Sequence, residues 1–102
     1  MRAYTIVVPH FSNDRTLKYD ARRFERELLK YAGGFTCLGD VKGAWRDDQG
    51  KVYHDALIHY EVAMDRGTKE LVCKALRDLY PDQKYFYVVD TGEAELIEGL
   101  AA

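Results

Sequence analysis

At 102 residues, with 47% hydrophobic and 31% charged residues, the chain reads as one globular domain over 1–102 with a single modest core, not as a disordered segment. A net charge of −2 excludes a nucleic-acid binder held by a basic surface, though not a small anion in a local basic pocket. No stretch approaches the roughly 18 apolar residues of a membrane span, and "MRAYTIVVPHF" carries no signal-peptide cleavage site, so the expected location is the cytoplasm.

The β-branched and aromatic run "AYTIVVP" predicts a first strand, Tyr4 to Val8, ended by Pro9. The polar stretch "HFSNDRTLKYD" predicts a loop. Leu17, Ala21, Phe24, Leu28 and Tyr31 then fall at steps of four and three, one stripe of a helix. Arg22, Arg23, Glu25, Arg26 and Lys30 lie largely off that stripe and read as its solvated side.

Gly33 and Gly34 stop this helix, since glycine accepts the left-handed conformation that follows a helix end. Phe35 to Arg46 and Lys51 to Met64 predict two strands joined at "DDQG", Asp47 to Gly50, a hairpin turn. Asp65 or Thr68 caps a second helix, whose apolar stripe is Leu71, Val72, Ala75, Leu76 and Leu79 and which Pro81 closes. "KYFYVV", Lys84 to Val89, predicts a fourth strand. The tail "GEAELIEGL" suits a short strand or helix, and 90–102 could pack on a neighbouring subunit.

The order β-α-β-β-α-β predicts an α+β, ferredoxin-like domain: one four-stranded antiparallel sheet with two helices on one face. In the third strand Val52, Ala56, Ile58, Tyr60, Val62 and Met64 should meet the helices. By alternation Tyr53, Asp55, Leu57, His59, Glu61 and Ala63 then face the other way. The first and fourth strands are apolar on both faces, so the open face should need a partner, and a homotrimer or homodimer is expected.

The glycines of "GGFTCLGDVKGAW" do not form a phosphate loop. Gly34 and Gly39 have the spacing, but Asp40 stands where a lysine is required, and the segment runs from helix to strand. Gly39 and Gly43 instead mark a strand bulge or a close backbone approach. Trp45 and Arg46, just before the turn, suit either a lid on the core or stacking on and pairing with a flat or anionic ligand.

Asp55, His59 and Glu61 share one strand face with Tyr53. Side chains two residues apart on a strand stand about 7 Å apart and nearly parallel, which disfavours a metal centre. No metal or cofactor is expected. His10 and Asn13 follow the first strand, near where an oligomer seam would run. Cys37 and Cys73 show no zinc or redox spacing; one disulfide is compatible with them, but two buried free thiols fit a reducing compartment better.

Across "GGFTCLGDVKGAWRDDQGKVYHDALIHYEVAM" and "VVDTGEAELI" the chain resembles small phage-encoded proteins of ferredoxin-like, PII-like fold, through Gly43, Trp45 and Gly50 of the hairpin and the acidic strand residue after it. Within that group it is similar to the phage S-adenosylmethionine lyases. That likeness implies a subunit-interface site with Asp55 as catalytic acid-base residue, where a glutamate is usual, and backbone near Pro9 and His10 facing the ligand. By analogy of size and pocket type it also resembles phage proteins that sequester a nucleotide immune signal. The expected function is therefore binding of a nucleotide-like molecule between subunits, with the lyase as alternative and catalysis left open. Trp45 and Tyr53 would stack on a base, Lys42 and Arg46 would meet phosphate or carboxylate, and His10, Asn13, Asp55 and His59 would orient the ligand.

Overall fold

Capping and turn chemistry set the ends of the elements, which the computed structural model describes over residues 1–100. In chain order they are β1 (Arg2–Pro9), α1 (Ala21–Ala32), β2 (Thr36–Arg46), β3 (Val52–Met64), α2 (Arg66–Leu79) and β4 (Tyr87–Glu93). The sheet order is β2-β3-β1-β4, and every neighbouring pair is antiparallel. This is the expected ferredoxin-like arrangement.

Helix α1 starts four residues later than the position of Leu17 in the stripe. The Asp20 side chain accepts the amide of Arg22 and fixes the first turn there, while Leu17 is left in the loop, 55% exposed. Arg15, at φ 61°, and an Asp14 carboxylate that accepts from Ser12 and Thr16 hold that loop in a non-helical path. Gly33, at φ 80°, ends α1 and sends its N–H to the Leu29 carbonyl. Asp65 is the cap of α2, accepting the Thr68 amide at 2.7 Å. Strand β4 begins at Tyr87 rather than Lys84, and residues 90–93, expected in the tail, complete it.

The core lies between the sheet and the two helices. Tyr4, Ile6 and Val8 of β1 and Ile58, Tyr60, Val62 and Met64 of β3 pack against Phe24 and Leu28 of α1 and Val72 and Leu76 of α2. Aromatic edges tie it together, with Phe24 and Phe35 each meeting the Tyr60 ring edge-on. Val52 and Ala56, expected under the helices, are exposed. Their strand runs on past the helices: thirteen residues of β3 span roughly 43 Å at about 3.3 Å each, against helices of twelve and fourteen residues that rise only about 1.5 Å per residue. The hairpin end of the sheet is therefore bare on both faces.

Candidate functional site

The face away from the helices is set by register. Ala3, Thr5, Val7 and Pro9 of β1 stand opposite Ala63, Glu61, His59 and Leu57 of β3. Val89 and Tyr87 of β4 oppose Thr5 and Val7. On the far side Gly39, Val41, Gly43 and Trp45 of β2 oppose His59, Leu57, Asp55 and Tyr53. A band of Ala3, Val7, Leu57, Val41, Val89 and Tyr87 thus crosses all four strands, and no helix covers it.

Both strand glycines have the roles their isolation suggested. Gly39, at φ 97°, sits where the β2–β3 register slips by one residue, a bulge that needs a residue able to take positive φ. Gly43 lies under Leu57: a Cβ there would come 2.7 Å from Leu57 Cδ1. The Leu57 side chain therefore lies flat over the β2 backbone.

At the hairpin tip, Trp45 and Tyr53 are cross-strand partners whose rings stack 4.5 Å apart at 14°. The Trp45 indole N–H donates to Asp55 Oδ2 at 3.0 Å. The Tyr53 hydroxyl donates to Asp47 Oδ2 at 3.2 Å, and the Lys51 ammonium lies over the Tyr53 ring. Asp47 Oδ1 also accepts the amides of Gln49 and Lys51. Burial pushes the Asp47 carboxyl up, but these amides and the phenol outweigh it and hold it below the usual carboxylate range.

The predicted ligand residues separate into four places. Trp45, Tyr53 and Asp55 share the hairpin tip on the open face, and His59 lies further along β3 on that face, its Nε2 closed off from solvent without a partner. Lys42 and Arg46 pair with Ala56 and Val52, which puts them on the opposite face. His10 joins Asp40 through Nε2 and Oδ1 at 2.9 Å, a partner the sequence reading had not assigned. Asn13 pins its loop to the segment before β4, its amide donating to Asp82 Oδ2 and its side chain to the Asp82 carbonyl. The Tyr19 hydroxyl donates to the same Asp82 carboxylate; burial first, then that acceptor, pushes the phenol up to about 12.

Among the described residues no group of three or more His, Cys, Asp or Glu is placed to hold a metal ion. Both cysteines are free; Cys37, expected to be buried, is exposed on the edge strand β2. Among the described residues no helix is long and apolar enough to cross a membrane.

The sequence matches no family model and no curated protein. In structure it is similar to the divalent cation tolerance protein CutA1 of Thermus thermophilus, with a TM-score of 0.70 at 19% identity over 94% of this chain and 86% of that one. The fold is that of the CutA1 proteins. CutA1 of Oryza sativa matches with a TM-score of 0.69 at 10% identity, over 94% of this chain and 82% of the other. The divalent ion tolerance protein CutA1 of Ehrlichia chaffeensis matches at 0.62 and 11%, over 93% and 87%.

These likenesses correct the expected kinship with phage S-adenosylmethionine lyases and sequestering proteins, and with it the phage origin, the nucleotide-like ligand and the anti-defence role. The geometry gives the physical reason. Trp45 and Tyr53 stack on each other, so the ring faces that meet are already occupied. Asp55 already accepts the indole. The cations meant for the ligand's charge lie through the sheet from the rings meant for its base. The PII-like fold inferred from the same motifs stands.

Proposed function

We propose that the chain is a homo-oligomeric protein of the divalent-cation-tolerance type, assembled through its open sheet face. The observation that carries this reading is the fold likeness to CutA1, which spans 94% of this chain and 86% of the first neighbour. An apolar band across four strands with no covering layer supports the assembly, because antiparallel sheets that face water alternate polar residues on that side. Two free thiols suit a cytoplasmic setting.

A cation site complete within one chain does not fit the residues described, since donors occur there only as pairs or rows: His10 with Asp40, and Asp55, His59 and Glu61 along β3. Symmetry between copies multiplies such donors at the seams, so cation binding in this reading belongs to the assembly and not to the protomer. His59 is the natural contributor, being the imidazole on the open face with an unpartnered nitrogen.

Light scattering on the eluting protein, followed by calorimetric titration with Zn²⁺ and Cu²⁺, tests both parts. A closed oligomer that takes up a stoichiometric amount of one cation is expected, and His59→Ala should weaken uptake while leaving the oligomer intact. A protomer that stays single at high micromolar concentration overturns the assembly. An oligomer with no saturable cation uptake overturns the cation role alone.

A further inference from the structure

On the other side of the sheet there is a hollow between the first two turns of α2 and the strands β1 and β4. Here a cavity of about 240 Å³ is lined by Tyr4, Arg66, Lys69, Cys73, Val88 and Asp90. Arg66, Lys69 and Cys73 recur at steps of three and four, so one stripe of α2 supplies one wall. The opposite wall comes from the sheet. Between β1 and β4 the register slips at Ala3 and Tyr4, a bulge that leaves Thr91 unpaired and is turned by Gly92 at φ 128°. The Thr91 hydroxyl donates to the Ala3 carbonyl and Asp90 accepts the Gly92 amide, which fixes the bulge. Bulges re-aim side chains, and this one delivers Asp90 to the cavity rim.

The decisive residue is Tyr4. It is 2% exposed, and its hydroxyl has no hydrogen-bond partner. Buried phenols find partners as a rule, because an unpaired hydroxyl out of water is costly. The other buried tyrosine of the same sheet face shows the rule: the Tyr60 hydroxyl donates to Glu25 Oε2 at 2.6 Å. A core position that needed only volume would be served by phenylalanine. Tyr4 instead keeps an unpartnered donor, closed off from solvent, on a side chain that lines the cavity together with two cations.

The charge balance selects the ligand. Asp90 is the only carboxylate of the lining, and Arg2 holds it through Nε and Nη2, with Nη2 to Oδ1 at 3.0 Å. The half-buried Lys69 pairs its ammonium with the exposed Glu70 carboxylate at 2.6 Å, and an anion in the cavity would compete with that carboxylate for it. Burial pushes the Cys73 thiol up, so it adds no negative charge. Asp65 is spent on the Thr68 amide at the helix cap. A divalent cation would meet Arg2, Arg66 and Lys69 together and is excluded.

We propose that this cavity binds a small organic molecule through an oxyanion head, phosphate or carboxylate, with Tyr4 O–H, Lys69 and Arg66 as donors and Val88 as the apolar contact. Cavities of this size accept more than the head group alone, so the ligand carries a short organic body.

The test is a ¹H–¹⁵N correlation titration of the ¹⁵N-labelled protein with inorganic phosphate and, separately, with acetate, at ionic strength held constant with chloride. Saturable shifts at Arg66, Lys69, Cys73, Val88 and Asp90 are expected for one of the two, and the responding anion identifies the head group. Tyr4→Phe should weaken that binding roughly tenfold, the effect of losing one hydrogen bond to a charged group, and Arg66→Gln should weaken it similarly from the exposed rim. Without ligand, Tyr4→Phe should melt at a temperature equal to or above the parent's, since it removes an unpartnered hydroxyl and no contact. Absence of saturable shifts with both anions overturns the proposal. So does a Tyr4→Phe protein that binds as the parent does, or shifts that chloride reproduces. A Tyr4→Phe protein that melts well below the parent overturns the argument from the unpartnered hydroxyl.

Discussion

Tyr4 and Tyr60 pair with neighbouring core positions on one face of one sheet, yet their hydroxyls have opposite fates. The Tyr60 ring is fully buried between Phe24 and Phe35, and its O–H is satisfied by Glu25 from α1. Burial first, and Glu25 second, raise its pKa well above that of a free phenol. A group whose pKa is raised on folding contributes stability that is complete below the unfolded value, near pH 10, and lost as pH rises beyond it. Tyr60→Phe should therefore cost about 1–2 kcal/mol at pH 7, through the lost hydrogen bond and the stranded carboxylate. It should also flatten the decline in stability between pH 9 and 11. Urea denaturation at pH 7, 9 and 10.5 measures both effects. A Tyr60→Phe protein as stable as its parent at pH 7 would show that Glu25 is equally well served by water.

Between residues and fold stand the elements, and the β2–β3 hairpin is the most informative of them. Gly43 has ordinary backbone angles, so its constraint is purely the 2.7 Å approach to Leu57. Gly43→Ala should displace Leu57 and lower stability by about 1–3 kcal/mol, as overpacking does. Gly43→Ala combined with Leu57→Ala should recover much of that loss, because the clash is with the far end of one side chain. Thermal melting of the two single variants and the double variant closes the cycle. Losses that simply add would place the strain in the backbone instead.

The hairpin also shows what could be read from sequence. Its two strands, the "DDQG" turn and the special status of Gly39 and Gly43 were legible because alternation and isolated glycines act locally. The helix stripes were legible for the same reason, except that Leu17 continues the α1 spacing while Asp14 and Asp20 direct its backbone elsewhere. Long-range facts were hidden. Lys42 and Arg46 look adjacent to Trp45 in the chain, but a one-residue step on a strand is a change of face. The pairing of His10 with Asp40 spans thirty positions, and the Tyr4 cavity draws on both ends of the chain. Kinship was misread because short hairpin motifs report the fold, and many functions share one fold.

For the whole molecule, the open face is the largest unresolved demand. Half of the sheet's side chains point away from the helices, and the band through Val7, Leu57 and Val41 is too apolar for a surface meant for water. Beyond β4 the chain carries Leu96, Ile97 and Leu100, all largely exposed in the protomer. Val7 is central to the band: it pairs with His59 on one side and Tyr87 on the other, and it takes no part in the core under the helices. Val7→Lys should therefore spare the core under the helices, and it places a charge where another copy would pack. Burying an unpaired ammonium in an apolar seam costs at least about 3 kcal/mol, so association should weaken a hundredfold or more. Light scattering at micromolar concentration should then find a single protomer with the circular dichroism of the parent, and the calorimetric cation signal should disappear with the oligomer. Truncation after Glu93 separates the two apolar elements. If it alone also yields a single protomer while the face is intact, the seam is built by the tail laid on a neighbour; if the oligomer survives, sheet meets sheet.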